Sequence, residues 1–522
     1  MSYFIAGPIA RIGQRLPGGT WKKIVTRNAA RETVAADGGR LAFDNYETQR
    51  EDLIPLVVDL DGTLLKSDSL IEGFVSLLST RPVAALRTLA ALRRGKAAFK
   101  AAVAREAKID IVGLPWNEAV LELVRAARAA GRKVYIASAS DRSLVEAMAR
   151  HLGLFDGTFC SDGAVNLSGR AKSRALCAAF GAGGFDYAGN SQIDCAVWEC
   201  ARNVIVVDAP RTLVTKVRRR WPGARVIARQ GGGLKTYLRA IRVHQWLKNG
   251  LIFVPMLAAK QFGAHELANS ALAFLSFSLC ASAVYVMNDL IDLSRDRAHA
   301  TKRTRPFAAG TLPVAHGLAL APLLLLGASL LAMPIGLHFL EILGLYGVTN
   351  VAYSLVLKRH IIIDVVTLAC LYGLRLVAGA AATGIPLSEW MLGFAVFIFA
   401  SLALVKRCAE IDAKIAAGAG NPPGRGYRLD DLPMLKVMAA VTGIASIVVF
   451  MLYLNSQTVA RLYAHPHWLA LIGVVLVYWI SRILLLMHRG DMDDDPLVFA
   501  TRDRVSLISM VLVLAVMAAA SI

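Results

Sequence analysis

The chain has 522 residues, is 56% hydrophobic and carries a formal net charge of +20. Such a length implies more than one domain. The basic balance fits nucleic acid, an anionic membrane surface or an anionic substrate. However, the lysines and arginines lie mostly between apolar runs and in the segment leading into them, which excludes nucleic acid as the partner in favour of a lipid bilayer.

Residues 1–50 form a basic tail with Arg11, Arg15, Lys22, Lys23 and Arg27 and no apolar signal core. It reads either as a solvated tail or as a contact with anionic lipid. Residues 51–210 have the charge spacing of a soluble domain. Three short apolar runs, 53–58, 133–137 and 203–207, have the length and composition of buried strands. Stretches of helical spacing separate them, including an Ala-, Leu- and Arg-rich segment at 69–129. Strands alternating with helices predict an α/β, doubly wound parallel sheet. Its ligands should bind beyond the carboxyl ends of the strands, where Asp59 and Ser138 fall. Residues 211–235 hold Arg211, Lys216, Arg218, Arg219, Arg220, Arg225 and Arg229 and reach Gly231-Gly232-Gly233, which reads as a basic linker.

Residues 236–522 contain nine apolar segments, centred near 255, 278, 324, 348, 373, 398, 445, 475 and 513. A bilayer crossing needs roughly 20 residues. The loop after the second segment carries Arg295, Arg297, Lys302, Arg303 and Arg305, and the loop after the fourth carries Lys358 and Arg359. The loop after the sixth has Lys406, Arg407, Lys414, Arg425 and Arg428, and the loop after the eighth has Arg489, Arg502 and Arg504. Positive charge collects on the cytoplasmic side. The expectation is an all-α polytopic domain of nine transmembrane helices in a bacterial inner (plasma) membrane, with the front domain and even-numbered loops cytoplasmic. The seven cysteines show no zinc-type spacing and suggest no disulfide framework, in keeping with a reducing compartment.

After the second apolar segment the chain reads Asn288-Asp289-Leu290-Ile291-Asp292, continuing to Asp296 as N-D-x-x-D-x-x-x-D. Helical spacing puts Asn288, Asp292 and Asp296 on one face. Carboxylates clustered at membrane depth repel one another unless a cation neutralises them, and oxygen-only ligands suit Mg²⁺. The motif and segment count resemble the UbiA superfamily of intramembrane prenyltransferases over about 236–522. The resemblance implies catalytic roles for Asn288 and Asp292 and a metal set of Asn288, Asp289, Asp292 and Asp296.

The second acidic motif of the aromatic-prenylating members is missing. In its place stand Tyr353, Lys358, Arg359, His360 and a single Asp364, with Arg375 further on. Together with Arg242-Val243-His244-Gln245-Trp246-Leu247-Lys248-Asn249, Thr301–Pro306, and Arg489-Gly490 followed by Asp494-Asp495-Pro496, this looks like one branch, decaprenyl-phosphate phosphoribosyltransferase and its relatives. The resemblance implies phosphoribosyl diphosphate as donor and a polyprenyl phosphate as acceptor. An anionic donor requires fixed cations, which Lys248, Lys302, Arg303, Arg305, Lys358 and Arg375 can supply, beside Tyr353. Topological anchoring is the alternative for the basic residues. Asp491 to Asp495 reads equally as a substrate clamp or a helix cap.

The soluble segment carries Asp59-Leu60-Asp61-Gly62-Thr63 directly after a strand. With Ser138, Lys172 and Gly189-Asn190-Ser191-Gln192-Ile193-Asp194 in order, it resembles the haloacid dehalogenase-like phosphatases across about 51–210. The resemblance implies Asp59 as nucleophile, Asp61 as general acid/base, and Thr63, Ser138 and Lys172 around the phosphate. It implies Mg²⁺ at Asp59, Asp61 and Asp194, and a helical cap over about 69–129. Asn190 stands where the family usually has Asp, which removes a negative charge beside the metal.

Together the halves suggest one Mg²⁺ site each and two steps. The first makes polyprenyl-phosphoryl-5-phosphoribose; the second removes the 5-phosphate, leaving a lipid-linked ribose for glycan synthesis. An alternative is transfer of a prenyl group to an aromatic acceptor, and another is a scaffold with vestigial sites. The sequence leaves homo-oligomer formation open.

Overall fold

A computed structural model describes residues 54–522, apart from 163–164, 229–230, 419, 421–425 and 493–494. The described residues fall within one unit, Leu53–Ile522. The tail 1–50, Arg229, Arg425 and Asp494 lie outside them.

Six parallel strands make the soluble sheet: β1 (Leu56–Val58), β2 (Val134–Asp141), β3 (Gly157–Ser161), β4 (Asp186–Gly189), β5 (Val204–Val207) and β6 (Arg225–Ile227), ordered β3-β2-β1-β4-β5-β6. The order reverses beside β1, so the crevice for a ligand opens at the residue that follows it, Asp59. Alternation along β1 sends Leu56 and Val58 to one apolar layer, with Val134, Ile136 and Ile205. Val57 goes to the other, with Tyr187, Val206 and Leu176. Burial on both faces accounts for the continuous apolar runs in these strands.

The cap consists of α1 (Ser69–Thr80), α2 (Pro82–Leu89), a 3₁₀ turn Ala90–Arg94 and α3 (Lys96–Glu106). A small core of Leu77, Ala85 and Val103, flanked by Phe74 and Phe99, holds it together. The expected cap limit of 129 needs correction: α4 (Glu118–Ala129) buries Val120, Leu121 and Val124 against the sheet and belongs to the core layer. Helices α5 (Arg142–Leu152), α6 (Arg170–Phe180) and α7 (Arg211–Arg220) complete the domain. The stretch read as a linker from 211 folds as α7 and β6, because Leu213 and Val217 bury against the sheet while the arginines face out.

Beyond them, besides several shorter helices, come α8 (Ala264–Ile291), α9 (Leu293–Ala298), α10 (Val314–Ala332), α11 (Leu337–Leu355), α12 (Ile363–Thr383), α13 (Glu389–Ala416), α14 (Leu432–Leu454), α15 (Ala470–Arg489) and α16 (Arg504–Ala519). Among the described residues, six are long and apolar enough to span a membrane: α8, α10, α12, α13, and the segments Leu429–Leu454 and Pro466–Arg489. This makes the second domain a helical, membrane-embedded one, with six such helices among the described residues where nine spans were expected. The segment near 255 breaks into a 3₁₀ run Val243–Phe253 and a short helix Val254–Ala258. The 16 residues of α16 reach about 24 Å, short of a hydrocarbon core of about 30 Å. Helix α11 carries Glu341, Thr349, Asn350, Tyr353 and Ser354, which lower its hydropathy.

Candidate active sites

In the soluble domain, Asp59 leaves β1 with its N–H donating to the Ala188 carbonyl of β4 (2.9 Å). Gly62 turns the chain at φ +76°, a conformation that favours glycine, and its bare Cα leaves room for the Asn190 carboxamide, whose Nδ2 would lie 1.9 Å from a Cβ there. The turn brings Thr63 Oγ1 to 3.5 Å from Asp59 Oδ2. Lys172 of α6 donates to Asp59 Oδ1 (2.6 Å) and to Tyr187 Oη (3.0 Å), and its Nζ lies 3.9 Å from Asp194. Tyr187 in turn donates to Asp194 Oδ1 (2.9 Å). The register of β2 shifts between Ala137 and Asp141. Within that irregularity Ser140 Oγ donates to Asp61 Oδ2 (2.7 Å), with Ser138 Oγ at 3.4 Å. The other Asp61 oxygen accepts from the Ser69 N–H (2.7 Å) at the start of α1.

The motif residues Asp59, Asp61, Thr63, Ser138, Lys172 and Asp194 are therefore gathered at one crevice. Sequence reasoning missed Ser140 and Tyr187. Ser140 sits two residues beyond Ser138, the spacing that returns a strand side chain to the same face.

Asp194, expected as a metal ligand, is hydrogen-bonded at both carboxylate oxygens. Its Oδ2 accepts from Ser191 Oγ (2.8 Å), Ser191 N–H (2.9 Å) and Asn190 N–H (3.2 Å), so it anchors its own loop. The Asp59 carboxyl is pushed up to about 7, by burial above all, with Lys172 pulling it down and Asp194 and Asp61 adding to the rise. Burial works against the Lys172 charge, yet Asp59 and Asp194 hold its pKa above the usual lysine value. Three carboxylates against one ammonium leave surplus negative charge in a buried crevice, which suits a divalent cation. The donors that fit Mg²⁺ there are Asp59 and Asp61, with the Asn190 carboxamide beside the Gly62 turn.

The membrane motif lies across the break between α8 and α9, and it divides in two. Asn288 donates from Nδ2 to Ser354 Oγ of α11 (2.8 Å), and Asp292 faces Lys358 (3.8 Å) and Arg295 (3.3 Å). Asp289 pairs with Arg242 and, at 3.0 Å, with Arg305, while Asp296 meets Arg305 at 2.6 Å. The expected shared face of Asn288, Asp292 and Asp296 is thus corrected. The helix ends at Ile291, and Asp296 turns with Asp289 toward the arginines. Both are buried. Among the described residues no group of three or more acidic, His or Cys side chains is arranged to hold a metal. Asn288 and Asp292 are the donors left for Mg²⁺, which commonly takes its other ligands from substrate phosphates and water.

The predicted cations also separate. Lys302 and Arg303 sit exposed on the 3₁₀ turn Lys302–Thr304. Lys248 is held by Asp495 at 2.5 Å, with Lys406 at 3.3 Å from the same oxygen. Asp495 also caps the short helix Pro496–Ala500, so of the two expected roles the structure shows the cap. Tyr353 accepts from Arg407 (2.9 Å), which is buried with Asp364 at 2.6 Å and Glu410 at 2.6 Å. Tyr427 donates to Asp364 (2.5 Å). Sequence reasoning treated Arg407 as a loop charge and missed this network. Arg375 of α12 is buried, donating to Asn249 Oδ1 (2.8 Å), Tyr346 Oη (2.9 Å) and the Leu371 carbonyl (2.5 Å). It lies 5.0 Å from the Tyr346 ring and 5.1 Å from that of Tyr372.

A Rossmann-ordered sheet bearing D-x-D-G-T, joined to a helical membrane domain bearing N-D-x-x-D, defines a two-domain membrane enzyme. The UbiA prenyltransferase family description matches residues 250–519 and the haloacid dehalogenase-like hydrolase description matches 56–182. The chain belongs to the UbiA prenyltransferase family, with a haloacid dehalogenase-like domain fused in front, and both are enzyme families. It is 38% identical to the uncharacterized protein y4nM of Sinorhizobium fredii over 87% of this chain and 88% of that one. It is 36% identical to nodulation protein NoeC of Azorhizobium caulinodans over 52% and 89%. It is 38% identical to decaprenyl-phosphate phosphoribosyltransferase of Corynebacterium glutamicum over 33% and 54%.

Proposed function

We propose that the membrane domain transfers 5-phosphoribose from phosphoribosyl diphosphate to a polyprenyl phosphate and that the front domain then removes the 5-phosphate. The observation that carries this reading is Arg375, a buried cation in a membrane helix whose partners among the described residues are neutral. A buried charge without a counter-charge is costly, and the phosphate of a polyprenyl phosphate supplies one. The relatives named decaprenyl-phosphate phosphoribosyltransferase support the same chemistry.

In the transfer, an acceptor phosphate oxygen bonds to ribose C1 as the C1–O bond to diphosphate breaks, and diphosphate leaves with the electron pair. The acceptor is already anionic, so no proton need move. Arg375 orients it, and Lys358 offers positive charge to the leaving group. Mg²⁺, when held by Asn288 and Asp292, would neutralise the diphosphate.

In the hydrolysis, an Asp59 oxygen bonds to phosphorus as the P–O5 bond breaks, and Asp61 gives its proton to O5. Asp61 then takes a proton from water, whose oxygen displaces Asp59 and releases inorganic phosphate. Lys172 keeps charge balanced at Asp59. The charge bias of the loops supports cytoplasmic sites in an inner membrane. Polyprenyl-phosphoryl-ribose would then serve glycan synthesis.

The test is mass spectrometry of lipids formed by the purified protein from phosphoribosyl diphosphate, polyprenyl phosphate and Mg²⁺. The wild type should yield polyprenyl-phosphoryl-ribose, and Asp59→Asn the 5-phosphorylated lipid. An unchanged product mixture in that variant removes the phosphatase step. No ribosylated lipid at all removes the transferase reading in favour of prenyl transfer to an aromatic acceptor.

A further inference from the structure

Helix α1 is buried on two sides. Phe74 and Leu77 pack into the cap, while Ile71 and Val75 pack against Val286, Leu290, Leu293 and Phe307 of the membrane domain. At the seam, Arg297 of α9 forks onto Glu72 of α1, Nη1 to Oε2 at 3.0 Å and Nη2 to Oε1 at 2.6 Å. Its Nε donates to the Ala308 carbonyl at 3.2 Å. The two side chains are only 8% and 4% exposed. A bidentate pair fixes orientation as well as distance, and a buried one strands a charge if either side is lost. Gly310, at φ +67°, sets a third contact. A Cβ there would lie 2.8 Å from Lys66 Cβ and 3.0 Å from Pro115 Cβ, so the membrane domain presses on the loop that leaves D-x-D-G-T.

The same helix begins at the hydrolase site, where the Ser69 N–H holds Asp61. Glu72 is three residues on, a rise of about 4.5 Å. Across the seam, Arg297 adjoins Asp296, so the hydrolase crevice is fixed at the end of the membrane domain that carries Asn288 and Asp292. A phosphate on a lipid headgroup at that end meets the crevice at high effective concentration, whereas a free phosphate ester gains nothing from the placement.

We propose that the cap is a docking element, with Glu72 and Arg297 as its positioning pair, and that this docking makes the hydrolase domain selective for a phosphomonoester on a membrane-held lipid over a free one. The proposal rests on the phosphatase reading above. The test uses full-length protein in proteoliposomes with two probes: p-nitrophenyl phosphate, and the phosphoribosylated lipid made in place from phosphoribosyl diphosphate and polyprenyl phosphate. Glu72→Gln should lower dephosphorylation of the lipid about tenfold or more and leave p-nitrophenyl phosphate turnover within about twofold. The exchange Glu72→Arg with Arg297→Glu should recover lipid turnover. Val75→Asp, which charges the apolar seam without touching the pair, should repeat the selective loss. An equal fall on both probes makes the pair a prop of the hydrolase fold and overturns the proposal, as does no fall on either. A wild type active on p-nitrophenyl phosphate but not on the lipid also overturns it. A wild type inactive on both removes the phosphatase reading itself.

Discussion

Arg305 meets Asp296 at 2.6 Å and extends the same Nη1 to Asp289 at 3.0 Å, so one guanidinium bridges two carboxylates seven residues apart. Arg305→Ala would leave Asp296 buried without its partner, while Asp289 keeps Arg242. Removing one side of such a pair costs about 3 kcal/mol. The loss should appear as a lowered Tm in detergent, and Asp296→Asn in the same chain should restore much of it. Full additivity of the two substitutions would show that the pair is not coupled.

Much of the soluble site was legible because its chemistry is local. Asp59, Asp61 and Gly62 fall within one turn, and the apolar runs of β1, β2 and β5 are buried on both faces. The strands that escaped notice lack that signal. Asp186-Tyr187-Ala188-Gly189 carries a carboxylate paired with Arg132 and the Tyr187 hydroxyl that serves the site, and Arg225–Ile227 is a three-residue edge. The membrane motif was found, but its division was not. Whether Asp296 turns toward Lys358 or toward Arg305 depends on where α8 ends and on a loop folded back from residues 302–312. The Lys248–Asp495 contact joins residues 247 apart, which spacing along the chain cannot reveal.

Asn190→Asp puts a carboxylate at the position proposed to face the hydrolase metal, in a side chain of nearly the same shape. One more charge near a divalent cation, at an effective dielectric of about 20, is worth at least about 1.4 kcal/mol. The Mg²⁺ concentration that half-activates phosphatase turnover should fall about tenfold. An unchanged half-activation would show that Asn190 does not face the ion.

Arg375→Lys keeps the charge but cannot reach Asn249, Tyr346 and the Leu371 carbonyl at once. The KM for polyprenyl phosphate should rise about tenfold or more, with the KM for phosphoribosyl diphosphate nearly unchanged. A parallel rise in both would place Arg375 in the scaffold and remove it from acceptor binding.

Asp495 provides the pH test. Burial alone would raise its carboxyl pKa, but Lys406 and Lys248 outweigh burial and hold it at about 2, below the ordinary 3.8. A folded-state pKa below the unfolded value means that the stabilisation is complete above about 4 and is lost as pH falls through about 2. From the size of the shift it amounts to about 2 kcal/mol. Asp495→Asn should therefore lower the Tm, through two facing ammonium groups and a weakened cap on Pro496–Ala500. The decrement should be the same at pH 5 and pH 8, because Asp495 stays ionised throughout that window. Adding Lys248→Met should recover part of it by removing the repulsion. A decrement that grows from pH 5 to pH 8 would mean that Asp495 is protonated near pH 5 and that the two lysines do not hold it as an anion.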